Sequence, residues 1–556
     1  MVAALIVGSL IILVCITSGQ FIHRFGIPAL IIFLVLGVLA EALPLDMLPL
    51  NPHYAERIGE VALIFIIFYG GFGTNWKAAK PVVGRAGVLA SLGVCITALA
   101  VTLFMHFVFG INWIESYLIG AVISCTDAAS VFSVLRTRKM NLKHNTVPVL
   151  ELESGCNDPT SYLLTMIGLL VLSSLGSGQS PDTFALVIDI IVLAGKQIII
   201  GVAAGVGVAF ISVRLIKRLS KHFADGMDLV FVLATAVFSY AIAALFEGNG
   251  YLAAFLCGII LGNSAIPSKV RMAHFFDSID WLSQITIFFL FGLIVAPDHL
   301  IAAALPAAAL TLFLLFVARP LAVLLIFKPL GAPLKQCSLI SWVGLRGAAS
   351  LVFAVMATTG GNIGGIPVMD GALTSDLFHI VILTAFFSIA LQGTLIKKAA
   401  ERLNMIDTET DVMRSFTDYQ EQSPKVYMKM HIDSHHPWVG TAIKDLVLGH
   451  ESLIVLIKRG AQAIAPKGNT VIMPDDIMVV SGESYEEEDS TQINQVEIDA
   501  KSPWANRLVS ELDISENTLI VGVQKADGTT VTPKGGTRLQ PGDLVTVFTW
   551  EDSILF

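Results

Sequence analysis

The sequence predicts an all-α polytopic membrane protein of about thirteen transmembrane helices, with inverted repeats and two discontinuous helices, followed by a cytosolic α+β tail. Three observations carry this. The 556 residues are 54% hydrophobic and 14% charged, with a mean hydropathy of +0.74, a composition that soluble globular domains do not reach. Apolar windows of about 20 residues, the length that crosses hydrocarbon, recur up to residue 398 and then stop. Residues 401–556 hold 25 of the 44 acidic but only 13 of the 35 basic side chains. The net charge of −9 therefore describes a solvated acidic tail, and no nucleic-acid partner is expected.

The apolar segments centre near residues 11, 34, 65, 97, 124, 164, 198, 237, 256, 287, 312, 348 and 385. The first, MVAALIVGSLIILVCITSGQFIHRFG, lacks a basic leader and an A-x-A cleavage site, so it reads as a retained span and not a signal peptide. Loops after odd-numbered spans are basic, for example Arg136, Arg138, Lys139 and Lys143 after the fifth. Loops after even-numbered spans carry Glu41 and Asp46, Glu115, Asp182, Glu247, Asp298 and Asp370. The positive-inside rule then places the N-terminus outside and the tail in the cytoplasm. Six cysteines, all in the apolar part and in no metal-ligand spacing, read as small apolar side chains.

Two spans are unusual. The fifth, YLIGAVISCTDAASVFSVL, holds Ser124, Thr126, Asp127 and Ser130 at its middle; the twelfth, SLISWVGLRGAASLVFAVM, holds Gly344, Arg346, Gly347 and Ser350. A charge at that depth costs about 2.5–3.5 kcal/mol on insertion scales unless it meets a partner, so such residues are functional by default. The spans lie seven apart, an odd offset that inverts one against the other, and interrupted helices in such positions mark a transporter's midplane site. The sixth span opens with ELESGCNDPTSYLL. On a helix Glu153 and Asn157 share one face, Ser154 and Asp158 the next. Pro159 removes a backbone donor and so frees the Gly155 carbonyl. Carboxylate, amide, hydroxyl and carbonyl oxygens thus gather within two turns, as a hard monovalent cation requires. Glu151 reads as interfacial, Arg319 before Pro320 as structural at a helix end, and His144 as solvated in a basic loop. His106 and His379 could titrate, with nothing in the sequence assigning them a role.

TDAAS, ESGCNDP and GLRGAAS on these spans resemble the NhaP-type branch of monovalent cation:proton antiporters, related to the sodium–proton exchangers. The resemblance covers about residues 1–398. It implies a dimerisation domain and a mobile six-helix core, and a homodimer in the prokaryotic inner membrane. It implies that Asp158 binds the cation or the proton, with Asn157 its partner and Thr126, Ser154 and Asp127 the other cation-site residues, Asp127 also offsetting the half-helix N-termini. It implies a buried ion pair of Glu153 with Arg346. An Asn-Asp pair in place of Asp-Asp implies electroneutral exchange of K⁺ or Na⁺ for H⁺, with no cofactor and no metal beyond the transported ion.

The tail is a repeat. After a linker (399–424), PWVGTAIKDLVLGHESLIVLIKRG recurs 66 residues on as PWANRLVSELDISENTLIVGVQKADG, and PKGNTVIMPDDIMVV recurs as PKGGTRLQPGDLVTVF. Each unit reads as a short helix, a strand, a turn and a strand after Pro-x-Asp, giving modules at 425–484 and 492–556. Both resemble the TrkA-C module of potassium-conductance regulators, which implies dimerisation and a small regulatory ligand and tilts the cation toward K⁺. A ligand-gated cation channel is the competing reading, but no carbonyl-filter signature such as TVGYG occurs. No catalytic constellation argues for an enzyme. The membrane lipids and the transported ions complete the expected partners.

Overall fold

The computed structural model describes residues 9, 12–18, 28–41, 52–127, 131, 141–176, 183–219, 226–359, 361–363, 366–368, 376–407, 425–432, 436, 438–446, 453–459, 462–464, 466–483, 491–499, 502–512, 518–525, 530–531 and 533–550. The chain divides into two units, Met1–Gln420 and Glu421–Phe556.

The first unit is helical. Its elements are α1 (Ala29–Glu41), α2 (Pro52–Gly73), α3 (Val83–Phe109), α4 (Trp113–Ile123), α5 (Thr146–Gly176), α6 (Thr183–Leu219) and α7 (Met227–Leu245). Then follow α8 (Gly250–Asn263), α9 (Lys269–Leu293), α10 (Pro297–Phe327), α11 (Leu334–Trp342), α12 (Ala348–Thr358) and α13 (Leu377–Arg402). Among the described residues seven helices are long and apolar enough to cross a membrane: α3, α5, α6, α7, α9, α10 and α13. Of the first expected span, residues 9 and 12–18 are helical and the rest lies outside the described residues. Two of the expected centres fall on breaks: Ser124 directly follows α4, and Ala348 opens α12 after the gap that ends α11.

Local chemistry sets these boundaries. Gly110, at φ 68°, closes α3 by donating its N–H to the His106 carbonyl at 2.9 Å. Asn112 then opens α4, its Oδ1 accepting from the Ile114 N–H at 3.1 Å. Among the described residues three helices carry a π turn: Leu89–Gly93 in α3, Leu314–Ala318 in α10 and Ile389–Gly393 in α13. In α10 the wide turn runs straight into Arg319 and Pro320, whose missing N–H cannot serve the preceding turn. Close helix contact rests on glycine: a Cβ at Gly258 or Gly262 of α8 would overlap the backbone of Phe68 or Phe72 in α2.

Short ribbons complete this unit: β1 (Asn141–Leu142), β2 (Gly361–Ile363), β3 (Ile366–Val368) and β4 (Ile406–Asp407), with β1 paired to β4 and β2 to β3, all antiparallel. The β1–β4 ribbon ties the chain after α13 to the start of α5, and Lys143 adds a backbone bond to Met405 at 2.9 Å.

The second unit repeats one small sheet. Strands β5 (Lys425–His431), β6 (Leu453–Arg459), β7 (Gln462–Ile464) and β8 (Ile477–Glu483) lie in the order β5-β8-β6-β7. Strands β9 (Thr491–Glu497), β10 (Thr518–Gln524), β11 (Thr530–Val531) and β12 (Leu544–Trp550) lie in the same order, β9-β12-β10-β11. The pairing register shifts after Ile454 in one sheet and after Ile520 in the other, 66 positions apart. The expected short helix is instead a three-residue 3₁₀ turn in each copy, Ile443–Asp445 and Val509–Glu511. Its N–H groups explain why: Ile443 and Lys444 donate across to Thr470 and Gly468, as Val509 and Ser510 do to Thr537 and Gly535. A longer α-helix would need those donors for itself.

Each sheet holds a buried aspartate on a basic side chain. Asp476 accepts from Arg459 Nε and Nη2 at 2.7 Å each, and Asp543 from Lys525 Nζ at 2.6 Å. The Arg459 hydrogen bonds hold the Asp476 carboxyl below the usual carboxylate range against the opposing effect of burial. A depressed folded value adds stability above the unfolded value of about 3.9 that disappears as pH falls below it. Amide protection factors in β6 and β8 of the full chain, taken relative to the intrinsic exchange rate at each pH, should therefore fall as pH drops below about 4. Asp476→Asn should lower that protection already at neutral pH and flatten its response to acid.

Candidate functional site

The two interrupted segments cross. The Asp127 N–H donates to the Leu345 carbonyl at 2.9 Å, joining the chain after α4 to the gap before α12. A helix that stops inside a membrane leaves its last carbonyls without donors, and hydrocarbon supplies none. Here side chains supply them. The Ala121 carbonyl accepts from the Ser124 hydroxyl at 2.7 Å and the Ser161 hydroxyl at 2.6 Å. The Ser124 and Cys125 carbonyls accept from Arg346 Nη1 at 2.8 and 2.6 Å. Arg346 is itself fixed through its backbone N–H, which donates to Ser388 Oγ at 3.2 Å; Ser388 donates on to Gln392 at 2.6 Å. A cationic side chain at the C-terminal end of α4 also answers the negative pole of that half-helix.

The other half-helix presents its N-terminus. Gly347 precedes α12 with no side-chain cap, and a Cβ there would overlap the Asp127 carboxylate. Asp127 thus lies against the positive end of α12, where an anion is favoured. The Ala128, Ala129 and Ser130 part of the motif lies outside the described residues.

Facing this crossing, α5 runs unbroken through Pro159. The shared face expected for Glu153 and Asn157 is present: Asn157 Nδ2 donates to Glu153 Oε1 at 3.1 Å and to Thr126 Oγ1 at 2.6 Å. Thr126 Oγ1 also lies 3.1 Å from Ser154 Oγ and 3.3 Å from Glu153 Oε1. Thr126, Glu153, Ser154 and Asn157 therefore form one hydrogen-bonded group. The charges of Asp127 and Glu153 both bear on Asp158. Asn157 Oδ1 and Asp158 Oδ1 are buried and have no hydrogen-bond partner among the described residues.

The expected pairing of Glu153 with Arg346 is corrected. Glu153 forms a two-point pair with Arg319, Nη1 to Oε1 at 3.0 Å and Nη2 to Oε2 at 2.7 Å, with both side chains at most 2% exposed. Arg346 is occupied by the carbonyls of α4. The reason lies in α10: Arg319 is not at a helix end but in the interior of Pro297–Phe327, after the π turn that accommodates Pro320. Sequence reading took the Arg-Pro pair as a boundary. The depth of Arg319 within an apolar run of spanning length was the signal that could have found it. Ser388 and Gln392, the supports of Arg346, gave no such signal.

The family profile described as sodium/hydrogen exchanger, transmembrane, matches residues 9–402. The chain belongs to the sodium/hydrogen exchanger family. Its tail matches the TrkA-C domain twice, over 428–488 and 493–554. The K(+)/H(+) antiporter NhaP of Alkalimonas amylolytica is 35% identical over 403 residues, 72% of this chain and 67% of that one. The K(+)/H(+) antiporter NhaP2 of Shewanella oneidensis is 31% identical over 486 residues, 86% of this chain and 81% of that one. The solved sodium proton antiporter MjNhaP1 of Methanocaldococcus jannaschii shares the fold at a TM-score of 0.58 and 23% identity, covering 72% of this chain and 99% of that one. This exchanger is accordingly a multi-pass membrane protein and a secondary transporter rather than an enzyme.

Three outcomes test the geometry. Removing one member of a buried ion pair costs about 3–5 kcal/mol because the other charge is stranded. Arg319→Ala should lower the unfolding temperature in detergent more than the double change Glu153→Gln with Arg319→Gln. In double-mutant cycles Glu153 should couple to Arg319 by more than about 1 kcal/mol, and to Arg346 by less. Gly347→Ala forces a methyl group into the Asp127 carboxylate and should destabilise by about 1–3 kcal/mol, read as the same thermal shift.

Proposed function

We propose that this exchanger moves K⁺ against H⁺, one for one and without net charge, with Asp158 as the group that loads either ion. The observation that carries this reading is the contrast between two buried carboxylates on one helix. Glu153 is matched by Arg319, while Asp158 keeps a buried oxygen with no hydrogen-bond partner among the described residues. Burial without compensation makes a bare carboxylate costly, so Asp158 is stable inside the membrane when it holds a proton or a cation. Either occupant neutralises it. Because Asn157 carries no charge, one site exchanges one positive charge for another.

Thr126, Ser154 and the Asn157 amide oxygen offer further neutral oxygens for a cation, and Asp127 serves the end of α12. K⁺ as the preferred cation is favoured by the relatives named as K(+)/H(+) antiporters and by the TrkA-C modules. On this reading the transport domain spans 1–398, a linker spans 399–424, and modules at 425–484 and 492–556 answer a small cytosolic ligand. The N-terminus lies outside, the tail faces the cytoplasm, and two copies pair in a prokaryotic inner membrane against its lipids.

Reconstituted vesicles provide the test. An imposed K⁺ gradient should drive proton movement that is unaffected by clamping the membrane voltage, and comparison with Na⁺, Li⁺ and Rb⁺ ranks the cations. Asp158→Asn should abolish the flux while leaving the protein folded in detergent. A voltage-driven current without coupled protons, or wild-type flux from Asp158→Asn, refutes the proposal.

A further inference from the structure

The side of α5 away from the crossing is held by α8 at two points one helical turn apart. A Cβ at Gly155 would overlap the ring of Phe255, so α8 packs directly on the backbone there. At Pro159 the contact is a hydrogen bond: Asn249 Nδ2 donates to the Pro159 carbonyl at 2.9 Å. Gly155 and Pro159 are related by four residues and share one helix face. Asn157 and Asp158 lie between them in the chain. This turn is weak on its own, because Pro159 has no N–H to give to the Gly155 carbonyl.

Asn249 is a donor with little freedom. It is 3% exposed. Its backbone N–H donates to the Gln197 carbonyl of α6 at 3.0 Å, and its Oδ1 accepts from the Leu252 N–H at 2.9 Å, capping α8. Gln197 in turn donates to the Glu247 carbonyl at 3.3 Å, fixing the loop that carries Asn249. With the backbone and one amide atom so occupied, Nδ2 faces one target, the carbonyl of the residue after Asp158.

We infer that Asn249 is a positioning residue for ion exchange: its amide clamps the α5 turn that Pro159 weakens and sets the angle at which Asn157 and Asp158 face the cation. This rests on the role proposed for Asp158. The alternative role, a cap for α8 and nothing more, needs only the oxygen.

Asn249→Asp and Asn249→Ser separate the two roles. Each retains an oxygen for the Leu252 N–H. Ionised Asp has no donor, and Ser is too short to cap α8 and reach Pro159 together. Two readouts on the full chain are hydrogen exchange of peptides spanning 155–165 and the K⁺ concentration giving half-maximal exchange in vesicles. The expected result is faster exchange in that segment and about a tenfold rise in the half-maximal K⁺ concentration for Asn249→Ser, the effect of one hydrogen bond. Its unfolding temperature should stay near wild type because the cap remains. For Asn249→Asp the defect should lessen toward low pH, where a protonated carboxyl regains a donor. Wild-type hydrogen exchange and wild-type K⁺ dependence in both variants overturn the inference. Altered hydrogen exchange with flux surviving in Asp158→Asn overturns the site assignment instead, and leaves the clamp in place.

Discussion

Everything at the centre of this protein depends on one contact between two segments of the chain that have stopped being helices. The backbone bond from Asp127 to Leu345 lets two half-helices end against each other inside an apolar slab. Hydrocarbon offers no donors to the carbonyls this leaves, so the ends are tolerable only because Arg346, Ser124 and Ser161 occupy them. The polar residues after α4, on α5 and before α12 are first of all the means by which the break survives. Function uses what remains after that requirement is met.

This ordering explains why the buried charges divide as they do. Arg346 serves backbone, Arg319 serves Glu153, and Glu153 in turn orients Thr126 and Asn157. Once Glu153 holds the Asn157 and Thr126 donors, the amide oxygen of Asn157 is turned away from them. A positive side chain is thus used to build a site for a positive ion, at one remove. Had Arg319 faced the crossing directly, its charge would have opposed the cation; tied at two points to a carboxylate, it is neutralised where it stands.

The sequence carried much of this architecture because hydrocarbon imposes strong patterns. Spans of fixed length were legible as apolar windows, and breaks as Ser, Gly and charge at their middles. The group Thr126, Glu153, Ser154 and Asn157 was legible as polarity concentrated within two turns. The partner of Glu153 was not. Arg319 and Arg346 both lie deep in apolar runs, and which one reaches Glu153 depends on helix rotation, which composition does not encode. Asn249 was hidden for a similar reason: an amide in a loop shows no periodicity, and its target is a backbone atom. In the tail the repeat was plain, but its helix is a 3₁₀ turn because its N–H groups are committed to the carbonyls of a neighbouring turn.

The π turn ahead of Arg319 bears on how this chain tolerates a change in length. A π turn holds one more residue than the α-helical turn it replaces, and each residue advances the helix by about 100°. Leu314–Ala318 therefore acts as a phase shifter between the two parts of α10: the lower half keeps its apolar face while the upper half is turned to bring a guanidinium inward. Shortening that turn by a single residue would leave hydropathy, span length and composition nearly untouched. It would also rotate Arg319 off Glu153 and into surroundings that have no acceptor arranged for it. In such a helix the count of residues, more than their identity, determines which side chain meets the centre of the membrane.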